Sequence, residues 1–315
     1  MTFLRITLGV VSVLLLIATT AYADGFCGSS SWRFTAEGLA LRREHMDNLP
    51  LVIDPASGAT LLNADDLSLN CRGGLRLAAA RDIGYRSDLE FEFFFVDQWS
   101  ASTTVATPGA QLLMYGATFG TDPISVGYST DLYSFEANWR RAWGAGCVKT
   151  LIGFRMMELG ENMRVIDAAS PPQLFVGDID NHLYGFQLGI EAAILRRGRW
   201  EIEGGLKCGI YGNSADFDAA FPQAGPAAVF HASEGRPYDP SFVGDPSFAG
   251  ELWLGVNYQL TDCLALRLGY QAMWIEGVAI LPEQLDDLAV PILGELDMGG
   301  SPLYHGASLG MQLDW

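Results

Sequence analysis

The sequence predicts an all-β fold, a transmembrane antiparallel up-and-down β-barrel of about ten strands (8–12), on three observations. Beyond residue 23 no window holds the roughly 18–20 continuous apolar residues that a membrane helix needs. Apolar residues recur instead at every second position, in stretches of about a dozen residues. The connections between those stretches alternate between short turns and long loops.

The chain opens Met-Thr-Phe-Leu-Arg5, runs apolar from Ile6 to Ala18 and reaches Ala21-Tyr22-Ala23. A basic start, an apolar centre and a small-residue cleavage site read as an export signal. Residues 1–23 are therefore expected to be removed and residues 24–315 to form the barrel domain. The apolar run is short for an uncleaved anchor, and Asp24-Gly25-Phe26 before Cys27 lacks the small apolar stretch that precedes a lipid-modified cysteine. An exported strand protein of this kind is expected in the outer membrane.

In chain order, Trp32, Phe34 and Ala36 open the first strand. The second is the clearest, with Leu67, Leu69, Cys71, Gly73, Leu75, Leu77 and Ala79 on one face and Ser68, Asn70, Arg72, Gly74 and Arg76 on the other. Leu89, Phe91, Phe93 and Phe95 mark the third, Tyr133, Phe135, Ala137 and Trp139 the fourth, and Val148 through Met156 the fifth. Tyr184 to Ile194 gives the sixth and Trp200 to Ile210 the seventh. Phe248 to Tyr258, Leu264 to Trp274 and Leu303 to Trp315 complete the set. Short turns fall at 81–86, 144–147, 196–199 and 261–263, and long segments at 42–66, 100–127, 160–180, 214–245 and 277–301. Gln111 to Phe119 is a candidate for extra structure inside the second of these.

Charge tests the register, because a lysine or arginine facing hydrocarbon at mid-bilayer costs roughly 2–4 kcal/mol. Arg33, Glu37, Arg72, Arg76, Asp88, Glu90, Glu92, Glu136, Arg140, Lys149, Arg155, Glu191, Glu201, Glu203, Lys207, Glu251, Arg267 and Asp314 all share the less apolar face. Asp97, Arg141 and Glu158 on the apolar face sit at strand ends, and His305 begins the last strand. Alternation alone does not say which face is outside, so the rival is a soluble secreted β protein. Long aromatic faces, glycines on the polar face and the last strand favour the membrane. In that strand Leu309, Met311, Leu313 and Trp315 alternate with polar or small residues, the pattern expected of a signal for the barrel assembly machinery.

With the strands in place, the sequence resembles the outer-membrane β-barrel porin families. The resemblance rests on Gly153-Phe154-Arg155, on Leu183 to Gly189 (LYGFQLG), on Tyr258 to Tyr270 (YQLTDCLALRLGY) and on His305 to Leu309 (HGASL). It implies a fold and an address, and no ligand.

Eight strands enclose an interior just filled by side chains, and ten stay near that limit. The polar face carries eight basic and ten acidic residues, so pairing across the interior is expected. Gly153, Gly185, Gly189, Gly205, Gly209, Gly255 and Gly269 could leave room along one side. The first reading is thus a narrow porin-like channel of unknown solute; the alternative is a non-conducting structural or adhesive barrel with acidic binding loops.

The whole chain carries −18, or −19 once Arg5 is lost, and the five long segments hold −16 of that. Nucleic acid is excluded as a partner, since it needs clustered cations. Outer-membrane lipid and the assembly machinery are the expected partners, with a cation possible at acidic loop pairs such as Asp216 with Asp218 or Asp286-Asp287. No enzyme is expected. His45, His182 and His231 near Asp180, Asp216 or Asp218 have no general-base spacing, and there is no GxSxG, phosphate loop or dinucleotide fingerprint. No cofactor or metal centre is predicted. Cys71 and Cys208 belong to the apolar face, and a disulfide within Cys27, Cys147 and Cys263 is open.

Overall fold

The computed structural model describes residues 31–44, 48–54, 56–106, 111–112, 123–144, 146–167, 173–220, 229–234, 246–287 and 296–315. The expected export signal, Cys27 and His45 lie outside these residues, as do the side chains of Asp97, Asp286 and Asp287.

Ten strands form the ring: β1 (Trp32–Glu44), β4 (Arg72–Gly84), β5 (Ser87–Val105), β7 (Ile124–Trp143), β8 (Val148–Asp167), β9 (Gln173–Arg197), β10 (Trp200–Ala220), β12 (Pro246–Gln259), β13 (Leu264–Glu276) and β14 (Leu303–Asp314). Each pairs antiparallel with its neighbours, and β14 returns to β1 with Asp314 opposite Arg33 and Leu303 opposite Glu44. The ring is therefore closed and has no open edge along its length. A short strand, β11 (Val229–Glu234), continues the wall above β12 by pairing with the end of β10. A separate sheet of β3 (Thr60–Asn63), β2 (Pro50–Ile53) and β6 (Gln111–Leu112) joins the first long loop to the second.

The four short turns occur where the sequence places them, but the strands run well beyond the predicted ones at the opposite end. The described residues of segment 160–180, read as a loop, all belong to β8 and β9, and 100–127 and 214–245 lose flanking residues to β5, β7 and β10. The reason lies in the polarity of the faces. In β7 the inward side chains Glu136, Asn138 and Arg140 give way upward to Leu132, Tyr128, Val126 and Ile124, all buried. The outward ones change in the opposite sense, from Trp139, Phe135 and Tyr133 to Asp131, Ser129 and Ser125. The alternation persists while its sign reverses, so a reading that follows one apolar face stops at the reversal. A lower storey, apolar outside and charged inside, thus supports an upper one built the other way.

Leu67 and Leu69 correct the sequence reading in a second respect. They precede β4, which starts at Arg72, and are buried in the upper core instead of facing outward. A register shift between Val96 and Trp99 in β5 swings Trp99 inward, where its Nε1 donates to the Leu41 carbonyl at 3.0 Å.

Around the lower storey the exterior is a belt of exposed apolar side chains, among them Phe91, Phe93, Phe135, Ile152, Leu188, Leu252 and Leu268, with Phe186 74% exposed. A patch of this extent is untenable in water and suits hydrocarbon. On β9 it runs from Tyr184 to Ile194, matching the 9–11 or so residues of a tilted spanning strand. Cys71 and Cys208 are exposed free thiols, Cys147 is free on the β7–β8 turn, and Cys263 is disulfide-bonded.

Inward glycines allow the closely curved wall. A Cβ at Gly185 would lie 2.0 Å from the Ile210 carbonyl oxygen and 2.7 Å from the Tyr211 Cα, both backbone atoms of the facing strand. Gly185→Ala is therefore expected to destabilise the barrel by about 1–3 kcal/mol, as overpacking does, read as a lower urea midpoint in detergent.

Candidate functional site

The interior holds the chemistry of this chain, and its lower storey is an ion-pair lattice. Arg155, 1% exposed, donates to Ser134 Oγ and Glu251 Oε2 at 3.0 Å each and lies 3.3 Å from Glu136. Lys207 Nζ reaches Glu136 at 3.0 Å. Glu136 Oε2 also accepts from Gln187 at 2.7 Å and Asn138 at 3.0 Å, while its Oε1 faces Arg155 at 3.3 Å without a hydrogen bond. Arg76 ties Glu92 (3.1 Å), Glu37 (3.4 Å) and Glu251 (3.6 Å) together.

Arg267 continues the lattice to Glu37 (2.9 Å), Glu203 (3.0 Å) and Gln312 (2.9 Å). Arg140 binds Asp88 and Glu90 and stands 3.8 Å from Glu191, with Lys149 on the other oxygen of Asp88. Glu201 pairs with Arg196 at the short-turn rim. Part of the lattice follows from register, since Glu37 faces Arg76, Glu136 faces Arg155 and Lys207 faces Glu251 directly. Arg155 to Glu251, Lys207 to Glu136 and Arg76 to Glu251, by contrast, join strands that do not pair and so cross the interior.

Arg72 stands apart from the lattice: its Nη2 donates to Ser100 Oγ at 2.9 Å, toward the long-loop end. The neutral members Ser134, Asn138 and Gln187 do not stand out in the sequence, where charge alone marks the polar face. Their spacing on the same faces as Glu136 and Arg155 is the available sign.

The lattice itself lines a cavity of about 280 Å³, with Glu37, Arg76, Glu92, Lys207, Glu251 and Arg267 in its wall, and this cavity reaches the short-turn rim at Gly146, Cys147 and Arg196. The inward glycines do not line a passage beyond it. A Cβ at Gly153 would meet Asn138, at Gly205 the Trp253 indole, at Gly209 the Tyr211 hydroxyl and at Gly189 the Leu151 side chain. Neighbouring side chains thus occupy the room at these four positions, whereas Gly255 and Gly269 line the cavity.

The upper storey is filled. Leu39, Leu41, Phe94, Val126, Leu159, Ile179 and Phe217 turn inward from the strands and pack against two loops folded into the mouth. The first loop contributes Leu51, Val52, Leu62, Leu67 and Leu69. The last contributes Val278, Ala279, Ile280 and helix α1 (Leu281–Asp287), turned inward after β13 at Gly277, whose φ is +82°.

Buried polar side chains hold that last loop. Asn181 clamps Ala279, donating to its carbonyl and accepting from its N–H, both at 2.8 Å. Glu161 accepts from the Leu281 N–H at 2.7 Å and pairs with Arg43 at 2.5 Å, the two side chains 0% and 1% exposed. The Arg43 guanidinium lies between the Tyr128 and Tyr304 rings, 5.8 and 6.0 Å from their centroids. The sequence alone puts Arg43 and Glu161 among loop charges, although they continue the inward faces of Leu41 and Leu159.

Outside, above the apolar belt, Asp131, Gly160, Asp180 and Asp216 lie in one cross-strand row. Burial pushes the Asp131 carboxyl up, helped by Asp180 and Glu158. Asp180 is likewise raised by burial, with Glu158, Asp178 and Asp216 adding to the effect and His182 opposing it. A carboxyl raised in the fold stabilises while protonated, below its ordinary value, and loses that contribution as pH climbs through the raised one. Asp131→Asn is thus expected to raise the melting temperature at pH 7 and to leave it unchanged near pH 3.

His231 Nδ1 sits 2.8 Å from Asp218, both well exposed, and His182 stands 3.9 Å from Glu158. Among the described residues no group of three metal-ligating side chains converges.

No family model matches the chain, and no curated protein does. Solved structures with a similar course include the outer membrane protease OmpT from Escherichia coli (9% identity, 90% of this chain and 96% of that one, TM-score 0.48). A major outer membrane protein from Thermus thermophilus (16%, 72% and 98%, TM-score 0.35) and the Pseudomonas putida toluene transporter TodX (8%, 92% and 91%, TM-score 0.36) are others. Likeness this distant adds nothing to what the strand pairing establishes.

Proposed function

We propose that the protein is an integral outer-membrane barrel whose resting form does not conduct, and which presents its acidic long-loop end to the outside. The filled upper storey carries this reading: strand side chains and two loops occupy the interior where a solute would have to pass. Short turns belong on the periplasmic side by the general habit of such barrels. The acidic exterior and loops then make an outer surface fit for structural or adhesive contacts. Leu309, Met311, Leu313 and Trp315 would serve as the assembly signal: they share one face of β14 by alternation, Leu309 and Trp315 exposed and Met311 and Leu313 buried against Leu264, with the Trp315 N–H bonded to the Trp32 carbonyl. No catalytic role is assigned to the exposed His231 and Asp218.

A narrow solute channel is the second reading, favoured by the charged cavity at the short-turn end, and it requires both folded loops to leave the mouth. Purified protein in a planar bilayer is expected to give no discrete conductance steps. Regular steps from the unmodified protein would reject the resting barrel in favour of the channel.

A further inference from the structure

The hairpin joining β4 to β5 is built against backbone preference. Its two central residues, Tyr85 and Arg86, have φ of +52° and +60°, in a two-residue turn where Asn-Gly is the favoured pair. Tyr85 is 97% exposed, so its ring gains no packing from the barrel that would explain its presence. Arg86 donates through Nη1 to the Gly144 carbonyl and so aligns this turn with the one joining β7 to β8.

Two more exposed arginines flank the pair at the lower edge of the apolar belt. Arg81 lies over the Trp32 ring at 5.3 Å and Arg141 over the Trp143 ring at 5.0 Å. The nearby acids are engaged elsewhere: Asp82 accepts from the Gly84 N–H at 2.7 Å, and Asp88 points inward to Arg140 and Lys149. Three exposed guanidinium groups, two of them over tryptophan rings, at a membrane boundary complement phosphate, which arginine binds through paired donors.

We infer that Arg81, Tyr85, Arg86 and Arg141 form a binding patch for the headgroups of anionic phospholipid in the periplasmic leaflet. The leaflet, though not the chemistry, rests on the orientation proposed above. Native mass spectrometry of the full protein in micelles doped with equal phosphatidylglycerol and phosphatidylcholine tests it. The unmodified protein is expected to retain the anionic phosphatidylglycerol preferentially. A basic residue at an anionic surface is worth about fivefold in partitioning, so Arg81→Gln/Arg86→Gln/Arg141→Gln should cut the lipid ratio at least about tenfold. Arg164→Gln, at the other end of the wall, should leave it unchanged.

A second variant, Tyr85→Asn/Arg86→Gly, relieves the turn and should raise the unfolding midpoint while lowering the ratio. No lipid preference in the unmodified protein, or an undiminished ratio in both variants, overturns the patch. Failure of the protein to insert into bilayers at all would instead sink the membrane barrel itself.

Discussion

Arg155→Ala is expected to be the most damaging single substitution in the lower storey, lowering the unfolding free energy by roughly 3–5 kcal/mol. Removing the guanidinium leaves Glu136 and Glu251, both buried, short of a cation, and Ser134 without its donor. Lys207 still neutralises part of that charge, which keeps the cost within the range for one broken buried pair. Urea titration followed by the heat-modifiable gel shift measures it. The double variant Glu136→Gln/Arg155→Met, which removes one carboxylate with the cation, should recover part of the loss. A midpoint that Arg155→Ala does not move would mean the lattice is hydrated rather than sealed.

Glu161→Ala should act as strongly, but locally. It strips Arg43 of its carboxylate partner and the Leu281 N–H of its acceptor, deep in the upper core. A cost of about 3–5 kcal/mol is expected from the stranded cation, concentrated in the loop that carries α1. Hydrogen exchange at Ala279 and Leu281 should accelerate, and external protease should cut between β13 and β14 while the lower storey keeps its gel shift. Asn181→Ala, which removes the neighbouring clamp without stranding a charge, should do the same more weakly, by about 1–3 kcal/mol.

How much of this is legible in the sequence follows from the sign of the alternation. Leu89, Phe91 and Phe93 or Leu264, Leu266 and Leu268 mark strands at once, because one face is wholly apolar and the other charged. Met163, Val165, Phe175 and Ile179 alternate just as regularly, yet their outward neighbours Asn162, Arg164, Asp178 and Asp180 look like loop residues to a reader expecting greasy exteriors. The lattice is readable as a set, since parity groups Glu37, Arg76, Glu136, Arg155 and Glu251 on one side. The Arg43–Glu161 pair is not, because it joins residues 118 apart and only the folded loops bury it.

The reversal of polarity along β7 to β10 also bears on how this protein resides in its envelope. Withdrawing the upper wall would drag Asp131, Glu158, Asp178, Asp180, Asp216 and Asp218 through hydrocarbon on the side that faces it. Raising the molecule outward would bring the arginines at the short-turn edge, Arg81 and Arg141, against the same obstacle. Depth and tilt are thereby pinned from above and below, and the passage of the hydrated wall on first insertion becomes a step that does not run backwards.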